Sequence, residues 1–189
     1  LFAPYLHISF PDFATRTALI GSMRKVITIL FIFSFSYVLP EPRQMPVENA
    51  TSKDWNPESF WYYPWGRSVV HKGIDIFAEE GTPVVASTGG VILFHGNISM
   101  GGNVVFMLGP KWRFHYFAHL QESNYRRIGF VDVGQQIGTV GTSGNAAGKS
   151  PHLHYSIKSM VPQFWKYQPN TKKAWDRMFF VNPDEFLRL

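Results

Sequence analysis

The chain has 189 residues, 45% hydrophobic and 16% aromatic, with 16% charged residues, no cysteine and a formal net charge of +5. That size suits one domain with a short extension, and that apolar content rules out a disordered, highly solvated chain. Without cysteine there are no disulfides, thiol catalysis, iron–sulfur clusters or Cys-type zinc sites, and no lipidated N-terminal cysteine, so any metal must be held by His and carboxylates.

Leu1 opens the chain, and the first methionine is Met23. Arg24 and Lys25 follow it, and then an apolar stretch from Val26 to Leu39. A basic start, a short apolar run and small residues near its end are the parts of a secretory signal, with Ser34 and Ser36 at the small-residue positions. The bulky Phe35 and Tyr37 depart from the ideal pattern. The stretch falls short of the roughly 20 apolar residues of a membrane span. The expectation is that residues 1–22 precede the natural start and that residues 23–36 are a signal peptide or a retained N-terminal anchor. The chain is then exported, to the periplasm, the cell envelope or the outside.

Residues 37–60 are polar and proline-rich without an apolar period, which reads as a linker or arm. An aromatic cluster follows: Trp55, Phe60, Trp61, Tyr62, Tyr63 and Trp65. Such clusters mostly fill cores; the other reading is a wall of a substrate groove. A sharper version makes the arm a latch, with Asn49 or Asn56 filling an open metal position.

Residues 61–189 form the domain with a C-terminal extension. Short apolar runs occur at Val84–Ala86, Val91–Phe94, Val104–Leu108, Trp112–Ala118, Phe130–Val133 and Gln136–Val140, and glycines bound or separate many of them. Short strands with turn signals between them predict a mainly β, antiparallel domain. Pro183 to Leu189 is long enough for one or two helical turns.

Three histidine-bearing segments carry the chemistry. In His71-Lys-Gly-Ile-Asp75 an extended chain puts His71, Gly73 and Asp75 on one face, with Gly73 leaving room for an ion. In His152-Leu-His154 both imidazoles share a face and Leu153 points to the core. The third is Ala118-His119-Leu120, at the end of an apolar strand. A catalytic zinc needs three ligands of the His/Asp/Glu type and an open position, and neighbouring imidazoles suit proton transfer and oxyanion stabilisation. His115 shares strand parity with His119, so alternation does not separate them, and His115 is expected to be exposed or on the groove side.

These segments resemble the lysostaphin-type zinc metallopeptidases, the M23 peptidase family or LytM domain, from about Pro64 to Ile157. His71-Lys-Gly-Ile-Asp75 is similar to the H-x-G-x-D motif, Ala118-His119-Leu120 to A-H-L, and Pro151-His-Leu-His154 to P-H-L-H. Glu80-Gly-Thr-Pro-Val84 and Gly134-Gln-Gln-Ile-Gly138 fall in family order between them. The resemblance implies His71, Asp75 and His154 as ligands of one zinc ion, His119 and His152 as the catalytic pair, and an antiparallel β fold with an open active-site groove. It implies an endopeptidase acting on peptidoglycan peptides. The chain is expected to be a monomer. Two positions depart from the family pattern. Phe117 stands where Tyr is frequent, and Ser156 where Glu is frequent.

Three other readings compete with this one. A catalytically inactive LytM-type regulator of wall hydrolases would be expected to lose zinc ligands, and this chain keeps all three. A lipoyl-type carrier shares the Gly134–Gly138 run but leaves the ordered histidines unexplained. A nucleic-acid binder does too, and the basic pairs Arg126-Arg127 and Lys172-Lys173 stand alone. Membrane association is expected only through the N-terminal apolar segment.

Overall fold

Helix α1 (Phe13–Val38) runs for 26 residues between Pro11 and Pro40, residues that tend to bound a helix. The computed structural model describes residues 13–123 and 128–188. The Arg126-Arg127 pair and residues 1–12 of the expected upstream segment lie outside them. The helix continues through Arg24 and Lys25, which the sequence reading took as a boundary. Its segment Thr17–Val38 is therefore long and apolar enough to cross a membrane, by length and composition. A signal sequence near an N-terminus has the same character.

The chain divides into two compact units, the first ending at Val38 and the second starting at Leu39. The second unit is the antiparallel β domain that the short apolar runs predicted. Its strands are β1 (Ile74–Phe77), β2 (Pro83–Val85), β3 (Gly90–Ile98), β4 (Gly102–Gly109), β5 (Arg113–Leu120), β6 (Gly129–Val131), β7 (Gln136–Thr139), β8 (His152–Ser159) and β9 (Phe180–Val181). A seven-stranded sheet has the order β1-β8-β5-β4-β3-β6, with β9 also paired to β8, and β2 pairs with β7 in a small second sheet. Two short helices, α2 (Ala174–Arg177) and α3 (Pro183–Leu187), lie in the C-terminal extension. The expected turn after Pro183 is α3, started by Asn182, whose side chain accepts from the Asp184 N–H.

Strand alternation divides the large sheet into two faces. Ile74, Ile76, Val105, Met107, Phe117, Leu153, Tyr155 and Ile157 are all fully buried on one of them. Asp75, His152, His154 and Ser156 belong to the other. In register, Asp75 stands opposite His154 and Ala118 opposite the same His154 on its other side. The strand pairing thus brings three separate sequence segments to one place.

Residues 39–60 are not a free linker. Val47 is fully buried and bridges to Val84, and the Gln44 and Val85 amides bond to the Ser87 and Pro46 carbonyls. Trp55 is buried and donates its indole N–H to Asp184 Oδ1 at 2.9 Å. The Glu41 carboxylate receives Arg113 at 2.6 Å and Lys111 at 3.2 Å. Prolines remove any regular period from this arm, so its anchoring residues have no pattern to betray them.

Candidate metal centre

His71 sits just before β1 rather than inside a strand, and the arm holds it. Its backbone N–H bonds to the Tyr62 carbonyl at 3.0 Å, its own carbonyl accepts from Trp61 N–H at 2.6 Å, and its ring stacks on Trp65 with centroids 4.0 Å apart. The side-chain Nδ1 lies 3.0 Å from the Ser59 carbonyl, an acceptor only, so Nδ1 carries the hydrogen and Nε2 presents a lone pair. Gly73 serves a different purpose from the one its spacing suggested. A Cβ there would collide with the Tyr155 carbonyl oxygen and crowd the His154 ring at 3.0 Å. It lets the lead-in to β1 approach β8 rather than making room for an ion.

His71 Nε2, Asp75 Oδ1 and His154 Nδ1 form a small triangle. The edges are 3.1 Å from His71 to Asp75, 3.0 Å from His71 to His154, and 2.7 Å from His154 to Asp75. A proton on His154 Nδ1 can point along one edge only. The His71 lone pair and the carboxylate oxygen would then still face each other. A cation answers all three at once, and the edges are a little shorter than the roughly 3.3–3.6 Å between ligands about 2.0–2.2 Å from one tetrahedral ion. Among the described residues, this is the cluster of His and carboxylate groups able to hold a metal. Burial works to raise the Asp75 pKa, but the neighbouring His154 and His71 rings outweigh it and hold the carboxyl well below its usual range. Burial pushes His154 down, against the pull of Asp75. Asp75 is therefore favoured as a carboxylate, and burial favours a neutral His154, the protonation that a metal ligand requires.

His119 reaches the same face through a break in alternation. The β4–β5 register shifts between Asn103 and Val105, so that Ala118 and His119 together span a single β4 position. His119 takes up the shift with φ of 65° and donates its backbone N–H to Gly101 at 2.8 Å. Such a bulge re-aims the side chain. The His119 ring stands 5.1 Å from His152 and 6.0 Å from His154. His119 Nδ1 donates to the Ser143 carbonyl at 2.9 Å and His152 Nδ1 to the Ser150 carbonyl at 2.8 Å. Each ring thus leaves its Nε2 outside these carbonyl bonds. Burial, with the His154 charge next, pushes His119 down to about 4, so it is a neutral acceptor at pH 7.

His115 is corrected. It was expected at the surface or in the groove, but it is fully buried on the core face. Its Nδ1 lies 2.7 Å from the Tyr155 hydroxyl, which pairs with Ser87 Oγ at 2.6 Å. The asparagine latch does not form either. Asn56 Oδ1 accepts from the Glu58 N–H at 2.9 Å in its own turn, Asn49 is exposed, and the arm residue that meets the cluster is Trp65. The aromatic run splits. Trp55 and Trp61 are core, while Tyr62, Tyr63 and Trp65 are exposed.

The two departures fall in different places. Phe117 is in the core against Tyr155, centroids 5.1 Å apart, so its missing hydroxyl takes nothing from the site face. Ser156 donates to the Lys72 carbonyl at 2.7 Å and so steadies the backbone next to His71. Sequence reasoning missed Tyr116, which stands on the site face opposite Ser156 with its ring centroid 6.2 Å from that of His154. Its parity with Ala118 was the available signal.

The family model of peptidase family M23 matches residues 69–168. The chain is 36% identical over 122 residues to the L-Ala–D-Glu endopeptidase of Bacillus subtilis, covering 60% of this chain and 37% of that protein. It is 30% identical over 121 residues to the murein hydrolase activator NlpD of Salmonella dublin, covering 58% and 31%. The chain thus spans about a third of the length of these curated relatives. The catalytic domain of the antimicrobial peptidase lysostaphin from Staphylococcus simulans superposes with TM-score 0.55 at 27% identity, covering 69% of this chain and 90% of that one.

Proposed function

The chain belongs to peptidase family M23, and from that premise we propose that it is a zinc-dependent endopeptidase cutting peptide bonds in bacterial peptidoglycan. The observation that carries the proposal is the His71–Asp75–His154 triangle flanked by two imidazoles whose Nδ1 atoms are pinned to carbonyls. The similarity to a B. subtilis endopeptidase supplies the substrate class.

His71, Asp75 and His154 would hold the zinc. When bound, it supplies Lewis acidity, which lowers the pKa of a water and polarises the scissile carbonyl. The rest falls to the side chains. His119 Nε2, neutral at pH 7, accepts the proton of the attacking water. Protonated, it has a hydrogen to give to the departing amine. His152 faces it at 5.1 Å and would stabilise the developing oxyanion by donating Nε2–H when its ring carries a second proton. Ser143 and Ser150 carbonyls fix which nitrogen of each ring takes part.

The similarity to a hydrolase activator brings a second reading, a regulator without turnover of its own. The intact ligand set and both imidazoles favour the enzyme. Helix α1 serves in this proposal as an export signal or a membrane anchor. The test is metal analysis together with digestion of purified peptidoglycan and mass measurement of the products. About one zinc per chain and released peptides are expected; zinc at full occupancy with no released peptide would give the regulator reading.

A further inference from the structure

The C-terminal extension and the arm enclose a second site. Arg177, at the end of α2, lays its guanidinium over two rings, 5.5 Å from the Phe60 centroid and 5.5 Å from that of Trp61. Among the described residues no carboxylate, carbonyl or hydroxyl accepts a hydrogen bond from it. A guanidinium carries five donors in a planar fork, and leaving them without an acceptor in a half-buried place is unusual for Arg. The group faces a cavity of about 180 Å³ walled also by Trp165, Lys166, Phe180 and Glu185. Lys166 has Glu185 as its ion-pair partner only at 4.0 Å. Burial lowers the pKa of both Lys166 and Arg177, so both cations are partly stripped of water and pay for it without a close anion.

The walls are rigid. Phe180 lies on β9 against β8, the Trp61 and Phe180 centroids are 5.5 Å apart, and Trp61 donates its indole N–H to the Lys172 carbonyl at 3.0 Å. The cavity also adjoins the metal cluster. Phe60 follows Ser59, whose carbonyl orients His71, and Trp61 N–H bonds to the His71 carbonyl.

We propose that this cavity is a carboxylate-binding subsite that takes the free carboxylate end of a wall peptide, with Arg177 as its fork and Lys166 as its second cation. Two cations and the Glu185 carboxylate leave a single positive charge, which suits a monocarboxylate better than a dianionic phosphate. The cavity falls below the ~300–1,000 Å³ of a drug-sized site, so it holds one group of a longer ligand. The flanking aromatic faces suit the apolar part of the same residue. The wall peptide as carrier rests on the peptidase reading; the preference for a carboxylate rests on the cavity alone.

Trp165 is 79% exposed and lines the cavity, which makes its fluorescence a direct probe. The full chain in detergent is titrated with N-acetyl-D-alanyl-D-alanine, with the same peptide bearing a C-terminal amide, and with inorganic phosphate. The free acid should bind at least tenfold more tightly than the amide, and phosphate should compete weakly. Arg177→Gln should abolish the preference, and Lys166→Gln should reduce it while the melting temperature stays unchanged. Equal binding of acid and amide, or tighter binding of phosphate, would overturn the proposal. Because this readout needs no turnover, a failure to digest peptidoglycan would sink the peptidase reading and leave the subsite standing.

Discussion

His115 and His119 lie four positions apart on β5, and they have opposite fates. One is sealed in the core beside Tyr155 and Ser87, and the other stands beside His152 on the face of the candidate metal centre. Strict alternation would send both to the core face, together with Phe117. The difference is the bulge, in which His119 adopts φ of 65° and crosses to the site face. A conformation outside the usual range for a side-chain-bearing residue is held there by the Gly101 carbonyl and by the Ser143 carbonyl on Nδ1. A single irregularity therefore decides which imidazole joins the face that carries His152 and His154, and the residue type does not.

The largest expected effects come from the site side of that comparison. His154→Ala removes one corner of the triangle and should leave the chain without zinc and without measurable digestion; full metal occupancy by elemental analysis would break the ligand assignment. His119→Ala and His152→Ala should each retain zinc and the wild-type melting temperature while losing about 10²–10⁴-fold in rate. Near-normal digestion by either variant would remove that histidine from the mechanism.

The core side should respond in the opposite way. His115→Ala leaves a cavity and deprives the Tyr155 hydroxyl of a partner, which should lower stability by about 2–4 kcal/mol. Zinc content and the rate per folded molecule should stay close to wild type. A large rate loss in a fully folded His115→Ala protein would erase the distinction between the two histidines.

The strand positions and the shared face of His152 and His154 were legible because each depends on local rules. The alternation of His152-Leu153-His154 survives in β8, and the glycine-bounded apolar runs became strands at nearly the expected positions. What the sequence hid depends on tertiary contact. Nothing in Phe114–Leu120 announces a bulge, because the shift is set by the β4 partner and by Gly101. Val47 and Trp55 sit among prolines and polar residues, so their burial could not be read from a period. Gly73 read as space for an ion, whereas the neighbour it accommodates is the Tyr155 carbonyl, 82 positions away in the chain. The stacking of Trp65 on His71 was within reach of the aromatic run, but the run gave no means to tell its buried members from its exposed ones.

The smallest effect expected, and the one that tests the core half most directly, is a pH dependence of stability. Burial, with the Arg113 charge second, pushes His115 from 6.5 down to about 3. Between those values the unfolded chain holds a proton on this ring and the folded chain does not. Stability from this group is therefore complete above pH 6.5 and is lost as the pH falls toward 3. One group titrating in this way gives a slope of at most about 1.4 kcal/mol per pH unit. His119 and His154 are lowered as well, so the wild-type curve sums several groups. The difference between wild type and His115→Gln isolates the core member, since Gln fills much of the same space and still offers Tyr155 a hydrogen-bond partner. Urea unfolding of both proteins at a series of pH values from 7 to 4 should show the Gln variant losing stability more slowly on acidification. Parallel curves would mean that His115 is protonated in the fold, and the buried neutral imidazole would have to be abandoned.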